Sequence, residues 1–288
     1  VLAVEIYVQT VGQQNLGHGA VVALMLLVPV MLAYVVDRRV QRRQQASMTA
    51  RAVPYQPKRD VARDGLLLLF TAVVATAMLA VLGMAIYTSF ITFWPYNLAP
   101  TLGHYTYGLA DAGVGNAYLN SLWMALLTAA LGTPFIFVTA YLVEKTGHPN
   151  SPLRSAIQAM ASLPMGVPGL VLGMGYILFF NHPDNPLGAL YRTLAIMVIV
   201  NVVHYYSACH LTALTALKSL DREFEAVSAS LKVSRLVTFF RVTLPVCLPA
   251  VLEISRYLFI NAMTTVSALV FLYSPDTLPA AVSILNLD

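Results

Sequence analysis

Charge is what this chain has least of. Asp, Glu, Lys and Arg make up 10% of its 288 residues, where soluble domains carry about 25%. With 58% hydrophobic residues and a mean hydropathy of +0.70, that scarcity excludes an ordinary soluble domain. Cysteine is also scarce. Cys209 and Cys247 form no CxxC pair and stand at no His/Cys ligand spacing, which indicates neither a zinc site nor a disulfide framework and reads as small apolar packing. There is no GxxxxGK[ST] phosphate loop, so ATP hydrolysis by that machinery is excluded. HExxH, a Ser/His/Asp grouping and paired carboxylates at usable spacing are likewise missing, which argues against a membrane enzyme. The net charge of +4 and pI near 9.1 would suit nucleic acid if the basic residues formed a patch with aromatics. They fall between apolar runs instead, so no nucleic-acid partner is expected.

Those runs are what the chain has in abundance. Residues 16–36, 65–91, 121–143, 155–180, 193–214 and 246–273 each approach the roughly 20 residues needed to cross a hydrocarbon core of about 30 Å. The expected fold is all-α, a polytopic transmembrane helical bundle of about six spans. Eight Lys or Arg residues lie between Arg38 and Arg63, two are Lys145 and Arg154, and five lie from Lys218 to Arg241; only Arg192 and Arg256 fall elsewhere. The excess of positive charge inside places residues 37–64, 144–154 and 216–245 in the cytoplasm. Residues 93–120 read as an outside loop. Its Trp94, Tyr96, Tyr105 and Tyr107 suit an interfacial belt or an aromatic-lined pocket.

The stretch that looks built to be gripped is residues 221–245, DREFEAVSASLKVSRLVTFFRVTLP. Asp221 can cap a helix whose first turn holds Glu223 and Glu225, where carboxylates suit the positive end of the helix dipole. Phe224, Val227 or Ser228, and Leu231 then share one face, fit to lie in a partner's groove. Ser234 is placed to cap a second short helix over 235–242, and Pro245 marks the return to apolar sequence. The unit reads helix, turn, helix.

At these residues the chain resembles the permease subunits of ABC importers, through the "EAA" loop: Glu225-Ala226, Ser230-Leu231, and the run Phe239-Phe240-Arg241-Val242-Thr243-Leu244-Pro245. The resemblance implies an ABC importer type I permease fold, and a first loop helix that docks in a cleft of a separate ATPase subunit. That partner would bind ATP and Mg, with no cofactor on this chain. The docking residues it implies are Phe224, Glu225, Ala226, Val227, Leu231, Lys232, Leu244 and Pro245. Two departures stand out. The family's turn glycine is Lys232 here, where a left-handed residue without glycine costs roughly 1 kcal/mol. The Glu-to-Pro spacing is one residue longer, so either Glu225 or Ala226 takes the family's Glu position. A helix resting on lipid headgroups is the other reading of this loop, and the match outside the loop favours docking.

Residues 155–180 contain SLPMGVPGLVLGMGYI, with Pro164, Gly166, Pro168, Gly169, Gly173 and Gly175. Such a helix should be kinked and buried in protein. It lines a translocation path, as broken helices near the midplane do, or it is a tightly packed structural helix. Pro-x-x-x-Pro-Gly here and Asn120-Ser121-Leu122 earlier are again habits of ABC permeases. Asn201 and His204 share a face of the fifth span and contact solute or bond a neighbouring helix. Glu253 and Arg256, at i and i+3, can meet on one helix face. They are either functional or a structural pair snorkelling inward. An ion-coupled secondary transporter is the alternative of a different class. It needs a midplane carboxylate, and only Glu253 competes.

The organisation reads as a tandem. Residues 1–43 are expected to end a first permease repeat, 44–64 to be a basic cytoplasmic linker, and 65–288 to be a second permease domain lacking its closing span. Val1 stands in place of an initiator Met, and the natural polypeptide is expected to be longer. Through SLPMGVPGLVLGMGYI, EFEAVSASLKVS and CLPAVLEISRYLFINAMTTVSALVFLYS the chain resembles fused permeases for 2-aminoethylphosphonate uptake; related fused permeases carry ferric iron. The partners implied are an ATPase dimer, a periplasmic binding protein, a first permease half and the lipid of a bacterial inner membrane.

Overall fold

The computed structural model describes residues 5–6, 8–13, 16–43, 60–110, 112–146, 151–220 and 223–285. The start of the chain, most of the linker over 44–64, and Asp221 lie outside the described residues. The chain forms two compact units, residues 41–115 and residues 1–40 with 116–288.

In the smaller unit Asp60 caps a long helix, its side chain accepting from the amides of Ala62 at 3.0 Å and Arg63 at 3.2 Å. The helix Val61–Ser89 has no buried residue. An apolar helix exposed all round is what lipid requires and water does not tolerate. The chain then departs from the expected plain loop. Ile91–Phe93 and Asn97–Pro100 pair as an antiparallel hairpin, and Gly103–Ala110 is helical. β-Branched and aromatic residues flank the turn-forming Pro95 to Asn97, which is why a hairpin forms here. Thr92 Oγ1 donates to the Ala99 carbonyl at 3.0 Å, and Phe93 stacks on Tyr96 at 5.8 Å. The side chain of Tyr107 lies outside what is described.

In the larger unit the helices are α1 (Leu16–Arg43, whose last residues fall in the smaller unit), α2 (Ala112–Tyr141, continued as a π-helical turn Leu142–Thr146), α3 (Pro152–Ser162), α4 (Gly169–Phe180), α5 (Leu194–Ser219), α6 (Glu223–Ser230), α7 (Arg235–Val246), α8 (Leu248–Thr264) and α9 (Ala280–Leu285). The core is built on α5, whose Cys209, Ala213, Leu214 and Leu217 join Ile136, Phe137 and Ala140 of α2 and Ile254 and Leu258 of α8. Both cysteines are free and buried, as small packing residues would be. Close approach of three helices depends on Gly132. A Cβ there would meet Leu258 at 2.9 Å and Val202 at 3.0 Å.

By length and apolarity, three helices among the described residues can cross a membrane: Val61–Ser89, Gly113–Lys145 and Leu194–Ser219. Two more are bent pairs, Pro152–Gly166 with Gly169–Phe180 at 107° and Arg235–Val246 with Leu248–Thr264 at 73°. The first expected span appears as the shorter apolar helix Gly17–Ala33. The fold is therefore the expected all-α membrane bundle, with three differences in its boundaries. The third span starts at Ala112, so Asn120 and Ser121 lie inside the helix instead of opening it. Asn120 Nδ2 donates to the carbonyls of Asp276 at 2.9 Å and Leu278 at 3.2 Å, and Ser121 Oγ accepts from the Ala280 amide at 2.8 Å. The fifth span runs on to Ser219. The sixth does not reach residue 273. Its helix stops at Thr264, Thr265 is extended, and the chain turns through 265–272. That turn wedges against α4, where a Cβ on Gly173 would come 2.8 Å from the Ala268 carbonyl oxygen.

Candidate functional site

The helix–turn–helix unit is present. Helix α6 ends as the bonding pattern of a glycine cap prescribes. The Val233 amide donates to Ser228 O at 2.9 Å and the Lys232 amide to Ala229 O at 3.0 Å, the paired bonds of a Schellman turn. Lys232 occupies the left-handed position, with φ of 55°. Ser234 caps the next turn, its Oγ accepting from the Val237 amide at 3.4 Å. A π-helical turn Phe239–Thr243 follows. It drives Phe239 into the core, 4.7 Å from the Tyr141 ring, and Leu244 packs on the same cluster while Pro245 stays exposed.

Helix α6 is amphipathic in an unusual sense, since none of residues 224–230 is buried. Its apolar stripe faces away from the protein, with Phe224 47%, Val227 56% and Leu231 70% exposed; Ala226 is exposed as well. Sequence reasoning gave the Glu225 carboxylate to a partner ATPase. In the structure it turns back, because a closer cation is available: Lys145 Nζ lies 3.0 Å from Glu225 Oε1. Sequence reasoning counts Lys145 only as an inside-loop cation and does not pair it with Glu225.

The second assembly is the break between α3 and α4. The chain leaves α3 through a 3₁₀ turn Leu163–Gly166, and Val167 is extended before Pro168 and Gly169 start α4. The break parts the Ala161 carbonyl from the Met165 amide four residues on, and in a membrane both groups must be met from within the protein. Ser207 of α5 does this, donating through Oγ to the Ala161 carbonyl at 2.7 Å and accepting from the Met165 amide at 3.1 Å. Gly166 is buried, and Pro164, Pro168 and Gly169 are half-buried. The expected kink is thus a clean break that α5 supports. A groove of about 450 Å³ runs along α4, with Val167, Val171, Gly175 and Phe179 on its wall. That lining suits hydrocarbon or another helix, not a charged solute.

Polar side chains at depth gather on α5. Asn201 is fully buried and, among the described residues, neither of its amide atoms has a hydrogen-bond partner; the same holds for both ring nitrogens of His210 and for Nδ1 of half-buried His204. His210 stacks on Tyr206 at 5.3 Å, and the Tyr206 hydroxyl lies 2.7 Å from Thr139 Oγ1 of α2. Unmet groups in a buried site are where water or a passing solute finds partners. Glu253 and Arg256 do meet, with Arg256 donating to both carboxylate oxygens at 2.7 and 2.8 Å. Both side chains are half or more exposed, so the pair closes on itself at the bundle surface. Among the described residues no group of three or more His, Cys, Asp and Glu is placed to hold a metal ion.

A membrane helical bundle with a bent apolar helix pair and a short amphipathic helix presented on a loop is compatible with a transport subunit. Residues 132–288, more than half of the chain, match the family of binding-protein-dependent transport system inner membrane components. The chain belongs to that family, the membrane permeases of ABC importers, and is a transport subunit rather than an enzyme. It is 43% identical over 67 residues to the putative ferric transport system permease-like protein AfuB of Escherichia coli K12, covering 23% of this chain and 56% of that protein. It is 29% identical over 211 residues to the ferric transport system permease protein FbpB of Actinobacillus pleuropneumoniae, covering 72% of this chain and 30% of that one. The chain therefore spans 56% or less of the length of these curated relatives. Its fold is similar to a bacterial ABC transporter that imports the acidic polysaccharide alginate, with a TM-score of 0.61 and 18% identity over 80% of this chain and 82% of that one. A second structure of a bacterial alginate transporter, in complex with an alginate pentasaccharide-bound periplasmic protein, matches at a TM-score of 0.61 and 15% identity, covering 77% and 81%.

Proposed function

We propose that this chain forms part of the translocation path of an ATP-driven importer, receives its solute from a periplasmic binding protein, and is driven by an ATPase dimer seated on residues 223–231 at the cytoplasmic face. A further permease half completes the path. ATP and Mg belong to the ATPase. The observation that carries this reading is the exposed stripe of Phe224, Val227 and Leu231 on a helix that turns none of it toward its own bundle. Such a stripe needs a groove on another protein. For the solute, ferric iron is favoured over 2-aminoethylphosphonate by the names of the relatives.

The test is uptake into vesicles holding the permease, its ATPase and the binding protein encoded beside it. That binding protein is titrated with ferric iron and with 2-aminoethylphosphonate. ATP-dependent uptake of ferric iron alone is expected, whereas uptake of the phosphonate alone reverses the choice of solute. Ala226→Trp, which adds bulk at an exposed position of the docking helix, is expected to insert normally and lose both stimulated ATP hydrolysis and uptake. Wild-type uptake by this variant removes the docking assignment.

A further inference from the structure

Helix α6 can transmit force only if its rotation about its own axis is fixed, and apolar packing does not fix it, since none of residues 224–230 is buried. What ties it to the bundle is charge. Lys145 stands in the π-helical turn that ends the Gly113–Lys145 span. Its side chain is only 7% exposed, with Nζ 3.0 Å from Glu225 Oε1. Nζ also donates to the Leu220 carbonyl at 3.4 Å, at the point where α5 gives way to the loop. The neighbouring carboxylate does not compete for it, because Glu144 is paired with Arg154 and both of those side chains are largely buried. A nearly buried ammonium cannot be left without its partner, so Glu225 is held inward. At 3.6 residues per turn, the centre of the stripe formed by Phe224, Val227 and Leu231 lies roughly 130° round the helix from Glu225. Holding Glu225 inward therefore turns the stripe outward.

We infer that the Lys145–Glu225 ion pair sets the rotation of the docking helix, which makes Lys145 a positioning residue for coupling ATP hydrolysis to transport. This rests on the docking role proposed above. Lys145 touches neither solute nor ATPase; it joins the end of a membrane span to the helix that the ATPase moves. When the docked ATPase pulls α6, the span follows through this bond and through the short connection from α5. Without the pair, α6 remains docked by its apolar stripe but turns in place.

The experiment uses the complete transporter, with ATPase and binding protein, in vesicles. Lys145→Met keeps the aliphatic stem and removes the charge. Solute transported per ATP hydrolysed, counted per folded complex, is expected to fall by at least about tenfold, with the ATPase still co-purifying. Lys145→Arg, which can keep the ion pair, is expected to stay within about threefold of wild type. The exchange Lys145→Glu with Glu225→Lys is expected to recover most of what either single change loses. An unchanged transport-to-ATP ratio in Lys145→Met, or an exchange no better than the single variants, overturns the inference. If Lys145→Met does not yield folded complex, Glu225→Gln at the less buried end of the pair is read instead: the same loss supports the pair, and a wild-type ratio sinks it. A wild-type protein that binds no ATPase would sink the docking reading itself, which separates the two failures.

Discussion

Lys232 carries the one residue-level cost that both the sequence and the structure bring out. Its φ of 55° is the conformation that glycine adopts freely and an L side chain does not. Its side chain is exposed. Lys232→Gly should therefore raise stability, by up to about 1 kcal/mol, read as a higher melting temperature of the purified complex with the ATPase still attached. Loss of the ATPase in that variant would mean that the lysine reaches an acidic group on the partner, and the strain account would fail. Lys232 was legible because the turn is local: the residues that close it all lie within the loop. Lys145 and Ser207 were not. Their partners are Glu225 for Lys145, and Ala161 and Met165 for Ser207. A lysine at a span end or a serine in an apolar helix gives no signal of which distant group it will meet. Asn120 was noticed only as part of the Asn-Ser-Leu motif, which says nothing of its bonds to the carbonyls of Asp276 and Leu278.

At the scale of elements, hydropathy located the spans and misjudged where they stop. Residues 265–273 are more apolar than the helix before them and carry no charge, so the pattern reads as one long crossing. The chain turns there because α4 offers a backbone without side chains to pack on, a fact held jointly by two segments far apart in sequence. The glycines of α4 accordingly divide into two kinds. Gly169 and Gly173 face the 265–272 turn, and a Cβ on Gly173 would stand 2.8 Å from a carbonyl oxygen of Ala268 and 3.2 Å from the Phe271 ring. Gly175 has nothing within 4 Å. Gly173→Ala should destabilise the protein by about 1–3 kcal/mol, since the obstacle is backbone that must shift. Gly175→Ala should cost nothing within this chain and gain a few tenths to about 1 kcal/mol of helix propensity. Thermal melting of the two variants in the same detergent checks the contrast. Equal melting temperatures would mean that the close approach of α4 to the turn is absent in the membrane.

For the whole molecule the open question is orientation, and it follows from where charge is scarce and where it is not. Helix α5 has 26 residues, a length of about 39 Å, which exceeds a hydrocarbon core of roughly 30 Å. Its two ends must lie at opposite faces. Before its start, residues 181–193 hold Asp184 and a lone cation, Arg192; its last turn holds Lys218, and the basic docking loop follows. From the excess of Lys and Arg beyond the second end we propose that this end is cytoplasmic, where an ATPase would reach α6. The native thiols do not confuse a labelling test, because Cys209 is 1% and Cys247 4% exposed. Asp184 and Lys218 are both exposed, so a cysteine at either place is open to reagent from its own side. In intact spheroplasts a membrane-impermeant maleimide should label Asp184→Cys and leave Lys218→Cys untouched. Permeabilisation should then expose Lys218→Cys to the same reagent. Labelling of Lys218→Cys before permeabilisation would put the helix–turn–helix loop on the outside. No ATPase could then seat on Phe224, Val227 and Leu231, and the importer reading would fall with the topology.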